Sequence, residues 1–170
     1  MALAGCGPER RASPPRAVTA VALDGAPADA IGTSVTLPLG GLEATETARG
    51  TVVSLPGDIT FDEGQATIRP SARPTLDKLA MLIKARDPGT VAIEGHSDSR
   101  GPDAVNQRLS VARAMAVRDY LVEVRMVDGT KLTVRGYGKL RPAAPNRKPD
   151  GEDDSTGRAR NRRVEVVLAG

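Results

Sequence analysis

The sequence predicts an α/β two-layer sandwich, a mixed sheet of about four strands with helices on one face. Three observations predict it. β-branched runs alternate with stretches of helical period, which lays helices against a sheet. Turn signals separate the segments, at Pro56-Gly57, Asp87-Pro88-Gly89 and Asp128-Gly129. The 170 residues amount to one domain once a Pro-, Ala- and Gly-rich start is set aside. A folded part of roughly 120 residues buries about two-thirds of its unfolded surface, enough for a core. That core is aliphatic, because Trp is absent and Phe61, Tyr120 and Tyr137 are the only aromatic residues.

Taken in order, residues 7–49 read as a flexible tether. Pro8, Pro14 and Pro15 stand beside Arg10, Arg11 and Arg16, the composition of an extended solvated segment. Within it Ser34-Val35-Thr36-Leu37-Pro38-Leu39 alternates weakly and fits either a sheet-edge strand or more linker. Structure is expected to begin at Gly50 and run to residue 169. The first strand is the run Gly50-Thr51-Val52-Val53-Ser54-Leu55. Phe61-Asp62-Glu63-Gly64 follows as a turn, with Phe61 a core anchor. A first helix opens near Ser71 as N-cap, tolerates Pro74 in its first turn, and buries Leu76, Leu79, Ala80 and Ile83. Residues 90–95 form the next strand and 131–136 another, with Leu132 and Val134 alternating. Residues 137–160, with Asp150, Glu152, Asp153 and Asp154, read as a long exposed loop. A last strand runs from Arg162 to Leu168.

Composition limits function. A formal net charge of +3 permits an anionic partner without requiring one. Three aromatic residues are too few for a base-stacking platform, so nucleic acid is not an expected ligand. One His and one Cys cannot supply a zinc site, and no metal or cofactor is expected. His96, Ser97 and Asp98 are consecutive and point different ways at a strand end, which does not make a catalytic triad. His96 reads as hydrogen-bonded into its turn. Asp58, Asp62 and Glu63 are carboxylates of the type glycosidases pair, but nothing in the sequence sets two of them across a bond. The chain is read as a non-enzyme. No apolar run is long enough to span a membrane as a helix.

The most informative stretch is Ile93 to Leu121, a strand, a tight polar turn (Gly95-His96-Ser97-Asp98-Ser99-Arg100-Gly101) and a long amphipathic helix. That helix sets Leu109, Ala112, Ala116, Val117, Tyr120 and Leu121 toward one side. Asp98 leaves the strand and Arg113 lies mid-helix, where a turn back brings them to one cleft. A carboxylate and a guanidinium there suit a ligand bearing both an ammonium and a carboxylate.

GHSDSRG followed by NQRLSVARAMAVRDYL resembles the OmpA-like C-terminal domain family, whose pattern is GHTDxxG and then NxxLSxxRAxxVxxxL. Asn106, Leu109, Ser110, Arg113, Ala114, Val117 and Leu121 match in register, with Ser97 in place of Thr. ITFDEGQATIRPSA, VRGYGKLRPAAPN and NRRVEVVL add further marks, so the resemblance covers roughly residues 50–169. It implies peptidoglycan binding through the diaminopimelate residue of the stem peptide, as in peptidoglycan-associated lipoproteins. Asp98 would take the side-chain ammonium and Arg113 a carboxylate, a fork that Lys cannot reproduce. The plain alternative is an Asp98–Arg113 salt bridge stapling turn to helix. Asn106 is read as a helix cap or a ligand contact, and Arg162 as a further carboxylate contact with Arg163 supporting the loop. The backbone around Asp62 and Ser97 is read as a source of carboxylate donors. The alternative function is an envelope interaction module, binding other envelope proteins, that has lost the wall contact.

Residues 1–6 end in Leu3-Ala4-Gly5-Cys6, which resembles the lipobox of bacterial lipoproteins. Cys6, the only cysteine, would then carry the lipid anchor, on the periplasmic face of the outer membrane. A flexible tether of this length spans some 30–40 Å, at about 5–6 Å × √n. Expressed from its full upstream sequence, the protein is expected to label with palmitate and partition into detergent, and Cys6→Ser to prevent both. A Cys6→Ser protein that still labels would show the tetrapeptide to be coincidence.

Overall fold

The computed structural model describes residues 36–39 and 42–170. Cys6, the lipobox and most of the expected tether lie outside the described residues. The chain forms one six-stranded sheet with the helices packed on one face. The strands are β1 (Thr36–Leu39), β2 (Leu42–Thr47), β3 (Gly50–Pro56), β4 (Thr90–His96), β5 (Leu132–Gly138) and β6 (Arg163–Ala169). Their order is β1-β2-β3-β6-β4-β5, with only β4 and β5 parallel. β3 to β6 are the four strands expected from the sequence. The helices are α1 (Gly57–Thr60), α2 (Arg73–Arg86), α3 (Asp103–Asp119) and α4 (Ser155–Asn161). Among the described residues no helix is long and apolar enough to cross a membrane.

Three boundaries differ from the sequence reading. The ordered sheet starts before Gly50. β2 pairs with β3 from Ala44 opposite Val53 to Thr47 opposite Gly50, and Leu42 and Ala44 join the core. β1 adds the edge strand that was one of two readings for that segment. The expected Ser71 cap is not used: a 3₁₀ turn at Pro70–Ala72 leads into α2, whose N-cap is Ala72 without a side-chain bond. The end of α2 is as expected. Asp87 takes a left-handed conformation, φ 42°, and its N–H bonds the Ile83 carbonyl at 2.9 Å. Finally, the supposed loop 137–160 contains α4, whose Asp154 N-cap accepts from the Gly157 N–H at 2.9 Å. Asn161 at its end is fully buried. It accepts from the amides of Ala143 and Ala144 and donates to the Ala144 carbonyl, fastening the preceding segment.

The core lies between the sheet and the helices. Val53, Leu55, Val91, Ile93, Val164 and Val166 come from alternate strand positions, and Leu76, Leu79, Ala80 and Ile83 from α2. α3 adds Ala114 and Val117, and the π-helical turn Tyr120–Val124 that continues it adds Leu121. Phe61 is 1% exposed and anchors the turn after α1. The inner face of α3 is not the apolar stripe expected. Leu109 is half-buried and Ala112 is exposed, while Asn106, Ser110 and Arg113 are buried. The N-terminal half of α3 therefore turns a polar face inward.

Close approach explains that placement. Gly95 and Gly136 are register partners on β4 and β5, beneath α3. A Cβ on Gly95 would lie 2.0 Å from the Ser110 carbonyl oxygen, and one on Gly136 2.5 Å from a Val111 methyl and 2.6 Å from Ser110 Oγ. The paired glycines open a trough that the helix backbone fills. Gly95→Ala must push α3 off the sheet, an overpacking cost of about 1–3 kcal/mol. Urea unfolding is expected to show a lower midpoint with little change in slope; an unchanged midpoint would contradict the close approach.

Candidate functional site

A cleft of about 580 Å³ opens where β3 and β4 end and β6 begins. Its walls are α1 with the turn at Phe61–Gly64, the β4–α3 connection, the first half of α3, and the residues around α4. It contains Asp98, Arg113, Asn106, Arg162, Asp62 and Ser97, so the fold gathers every ligand-binding position nominated from the sequence. Asp58, Arg69, Arg100 and Arg158 join them without having been nominated.

Asp98 lies just past the end of β4 and is 9% exposed. Its Oδ1 accepts the Arg100 N–H at 3.0 Å, and its Oδ2 accepts Arg162 Nη1 at 2.7 Å with Arg158 Nε at 3.8 Å. Arg162 is the C-cap of α4, one residue before β6. It grips Asp58 side-on, with Nε to Oδ1 at 2.8 Å and Nη2 to Oδ2 at 2.5 Å. These bonds hold the Asp58 carboxyl below its ordinary pKa and raise that of Arg162. Each Arg162 nitrogen therefore already serves a protein carboxylate, which limits the direct ligand role expected of it. Arg163 faces the other way, to Glu165 at 2.6 Å and the Arg141 carbonyl at 3.3 Å, and so supports the loop.

Arg113 differs from the other cleft arginines. It is 5% exposed, its Nε donates to the Gln65 carbonyl at 2.8 Å, and its guanidinium carbon sits 5.1 Å from the centre of the Phe61 ring. Among the described residues it makes no ion pair, whereas Arg69, Arg100, Arg158 and Arg162 all do. The Asp98–Arg113 staple is thus not formed. Burial lowers the Arg113 pKa, Asp58 opposes the shift, Arg162 adds to it and Asp98 opposes it. Three other readings change on the same evidence of bonding. Asn106 does not cap α3, whose N-cap is Pro102; its Nδ2 closes the preceding turn on the Arg100 carbonyl at 2.6 Å. The Asp62 and Ser97 amides are not free donors, being bonded to the carbonyls of Thr67 at 3.2 Å and Gly138 at 2.8 Å. The Asp62 carboxylate accepts from Arg69 Nε at 3.1 Å.

On the helix-free face, His96 stacks on Tyr137 at 5.4 Å between centroids. Neither imidazole nitrogen is hydrogen-bonded to protein, so the expected bond into the turn is replaced by stacking. Burial, then the Arg163 charge, push its pKa down to about 3, leaving it neutral. The Ser97 hydroxyl donates to the Asp98 carbonyl at 3.2 Å rather than to His96. Glu94, His96 and Glu165 bring ligand-type atoms within 4.8 Å of one another. Arg49 pairs with Glu94 and Arg163 with Glu165, each at 2.6 Å, so the cluster is already neutral and a divalent ion would add two uncompensated charges.

The missed residues carried different signals. Asp58 stands in the Pro56-Gly57 turn and looks solvent-facing by composition; its partner is 104 residues away. Arg158 falls in a segment with no apolar period, where α4 was not legible.

Comparison with known proteins agrees with the geometry. A family model described as OmpA family matches residues 60–156. The probable lipoprotein YiaD of Escherichia coli is 33% identical over 129 residues, 76% of this chain and 56% of YiaD. The peptidoglycan-binding protein ArfA of Mycobacterium bovis is 38% identical over 112 residues, 66% of this chain and 32% of ArfA. This chain therefore spans about half or less of these relatives. The solved structure of the cell wall anchor of the T6SS from Pseudomonas aeruginosa superposes with a TM-score of 0.64 at 32% identity, covering 76% of this chain and 88% of that one. With the family model matching more than half of its residues, this chain belongs to the OmpA family.

Proposed function

We propose that this chain is a non-catalytic module that binds peptidoglycan through the diaminopimelate side chain of the stem peptide, and that it ties the wall to a membrane in which the protein is held by a lipid on Cys6. One observation carries the reading: the cleft holds a buried guanidinium, Arg113, with no ion pair among the described residues, and the carboxylate of Asp98 lines the same cleft. A ligand that is both cation and anion fits that pair. Its ammonium adds to the lone pairs of Asp98 that Arg162 and the Arg100 amide leave open. Its carboxylate takes the free end of the Arg113 fork, displacing water from a cation already stripped of most of it. Relatives named for a cell wall anchor and for peptidoglycan binding support the same ligand class. The lipid anchor is supported by the tetrapeptide before Cys6 and by a relative named as a lipoprotein.

Removing either charge is expected to abolish sedimentation with purified sacculi. Truncating one partner of a desolvated charge pair costs about 2–5 kcal/mol, roughly thirtyfold to several thousandfold in affinity. Arg113→Ala tests this most cleanly, because Arg113 supports no ion pair and its loss is expected to leave the melting temperature near wild type. Asp98→Asn is expected to lose binding and also some stability, since Arg162 and Arg158 lose a shared anion. An Arg113→Ala protein that still sediments with sacculi would overturn the site assignment.

The third stem residue is expected to decide affinity. Lysine keeps the ammonium and lacks the adjacent carboxylate, leaving Arg113 unpaired, so diaminopimelate-type muropeptides are expected to bind more tightly than lysine-type ones. Superimposable titration curves for the two would reject diaminopimelate as the recognised group.

A further inference from the structure

We propose that Asp58 is a specificity-determining positioning residue: it holds the Arg162 guanidinium side-on, so that this cation cannot close on Asp98 and take the place of the ligand's ammonium. The inference rests on the peptidoglycan reading above and names a residue that no motif match assigns. Arg162 commits Nε and Nη2 to Asp58, at 2.8 and 2.5 Å, and reaches Asp98 with Nη1 alone, at 2.7 Å. A single N–H leaves Asp98 Oδ2 a free lone pair. A released guanidinium would instead offer Asp98 two parallel N–H groups, the stronger bidentate geometry. Being tethered, it competes with the ligand at an effective concentration on the order of millimolar.

Backbone contacts keep the clamp in register. The Gly57 N–H bonds the Arg162 carbonyl at 2.7 Å, and the Thr60 hydroxyl bonds the Pro56 carbonyl at 2.7 Å, fixing the turn that carries Asp58 against the residue it holds. Asp58 has a second, opposite effect on the cleft. Its charge favours the protonated Arg113 and so offsets part of that cation's pull on a ligand carboxylate. Loss of Asp58 therefore weakens capture of the ammonium without weakening capture of the carboxylate. A merely structural role for Asp58 would weaken both.

The test titrates the full chain with two muropeptides, one carrying unmodified diaminopimelate and one with its side-chain amine acetylated. Wild type is expected to prefer the free amine. Asp58→Asn is expected to lose roughly three- to fivefold in affinity for the free amine, with binding of the acetylated peptide unchanged or tighter. Asp58→Glu, which keeps the fork's partner, is expected to retain the preference. In Asp58→Asn/Arg162→Gln the competing guanidinium is gone, and the preference is expected to return. Equal losses for both peptides, an Asp58→Asn preference equal to wild type, or a double variant that does not recover would each overturn the inference while leaving the peptidoglycan reading standing. A wild-type protein that binds neither peptide overturns that reading, and this inference with it.

Discussion

The approach of α3 to the paired glycines of β4 and β5 is the constraint on which the rest depends. With Ser110 seated over Gly95 and Gly136, its hydroxyl accepts the Gly138 amide at 3.0 Å and donates to the Gln107 carbonyl at 2.8 Å. One side chain thus ties the helix to the end of β5. The Ser97 amide bonds the Gly138 carbonyl, so the same glycine also fixes the residue before Asp98. Three residues further along α3, Arg113 falls at the cleft floor beside Phe61. A side chain at either trough glycine would lift the helix and carry the Arg113 guanidinium away from Phe61 and the Gln65 carbonyl.

Within that frame the cleft is a problem of charge. Asp98 accepts from Arg162 and lies 3.8 Å from Arg158 Nε, and Asp153 accepts from Arg158 Nη1. These pairs tie α4 to the β4–α3 turn. Arg113 stands apart, desolvated and without an ion pair among the described residues, an arrangement that costs stability in the free protein. Phe61 and the Gln65 carbonyl offset part of that cost and fix the orientation of the fork. In the peptidoglycan reading, a ligand carboxylate would meet a cation already oriented and largely dehydrated, which would lower the cost of binding.

The part of this legible in the sequence follows the kind of force involved. Strands β3 to β6 and helix α2 are held by burying apolar side chains at regular spacing, and period alone locates them. Leu76, Leu79, Ala80 and Ile83 were read and are buried. α4 is held by Asp154 capping and by the four bonds of Asn161, which leave no period to read. The inner face of α3 was misread for the same reason, since Asn106, Ser110 and Arg113 are buried by hydrogen bonds and a cation–π contact rather than by hydrophobicity. Motif spacing located Asp98, Arg113 and Arg162 but not the bonds between them. Asp58 pairs with Arg162 near the far end of the chain, and no local signal reports such a pair.

The topology also orients the cleft. β3 and β4 end at it, and β6 starts there. β1 is antiparallel to β2, which is antiparallel to β3, so β1 runs in the direction of β3 and points toward the cleft end. Thr36, opposite Thr45 and level with Val52, starts β1 at its end away from the cleft. The ladder continues from β1 through β2 and β3 to β6, whose first residue follows Arg162. These strand pairs are antiparallel ladders, with the apolar residues Leu42, Val53 and Val166 beneath them. Composition left the β1 segment open between tether and strand, because what holds β1 and β2 in place is ladder pairing, β1 with β2 and β2 with β3, rather than an apolar period of their own.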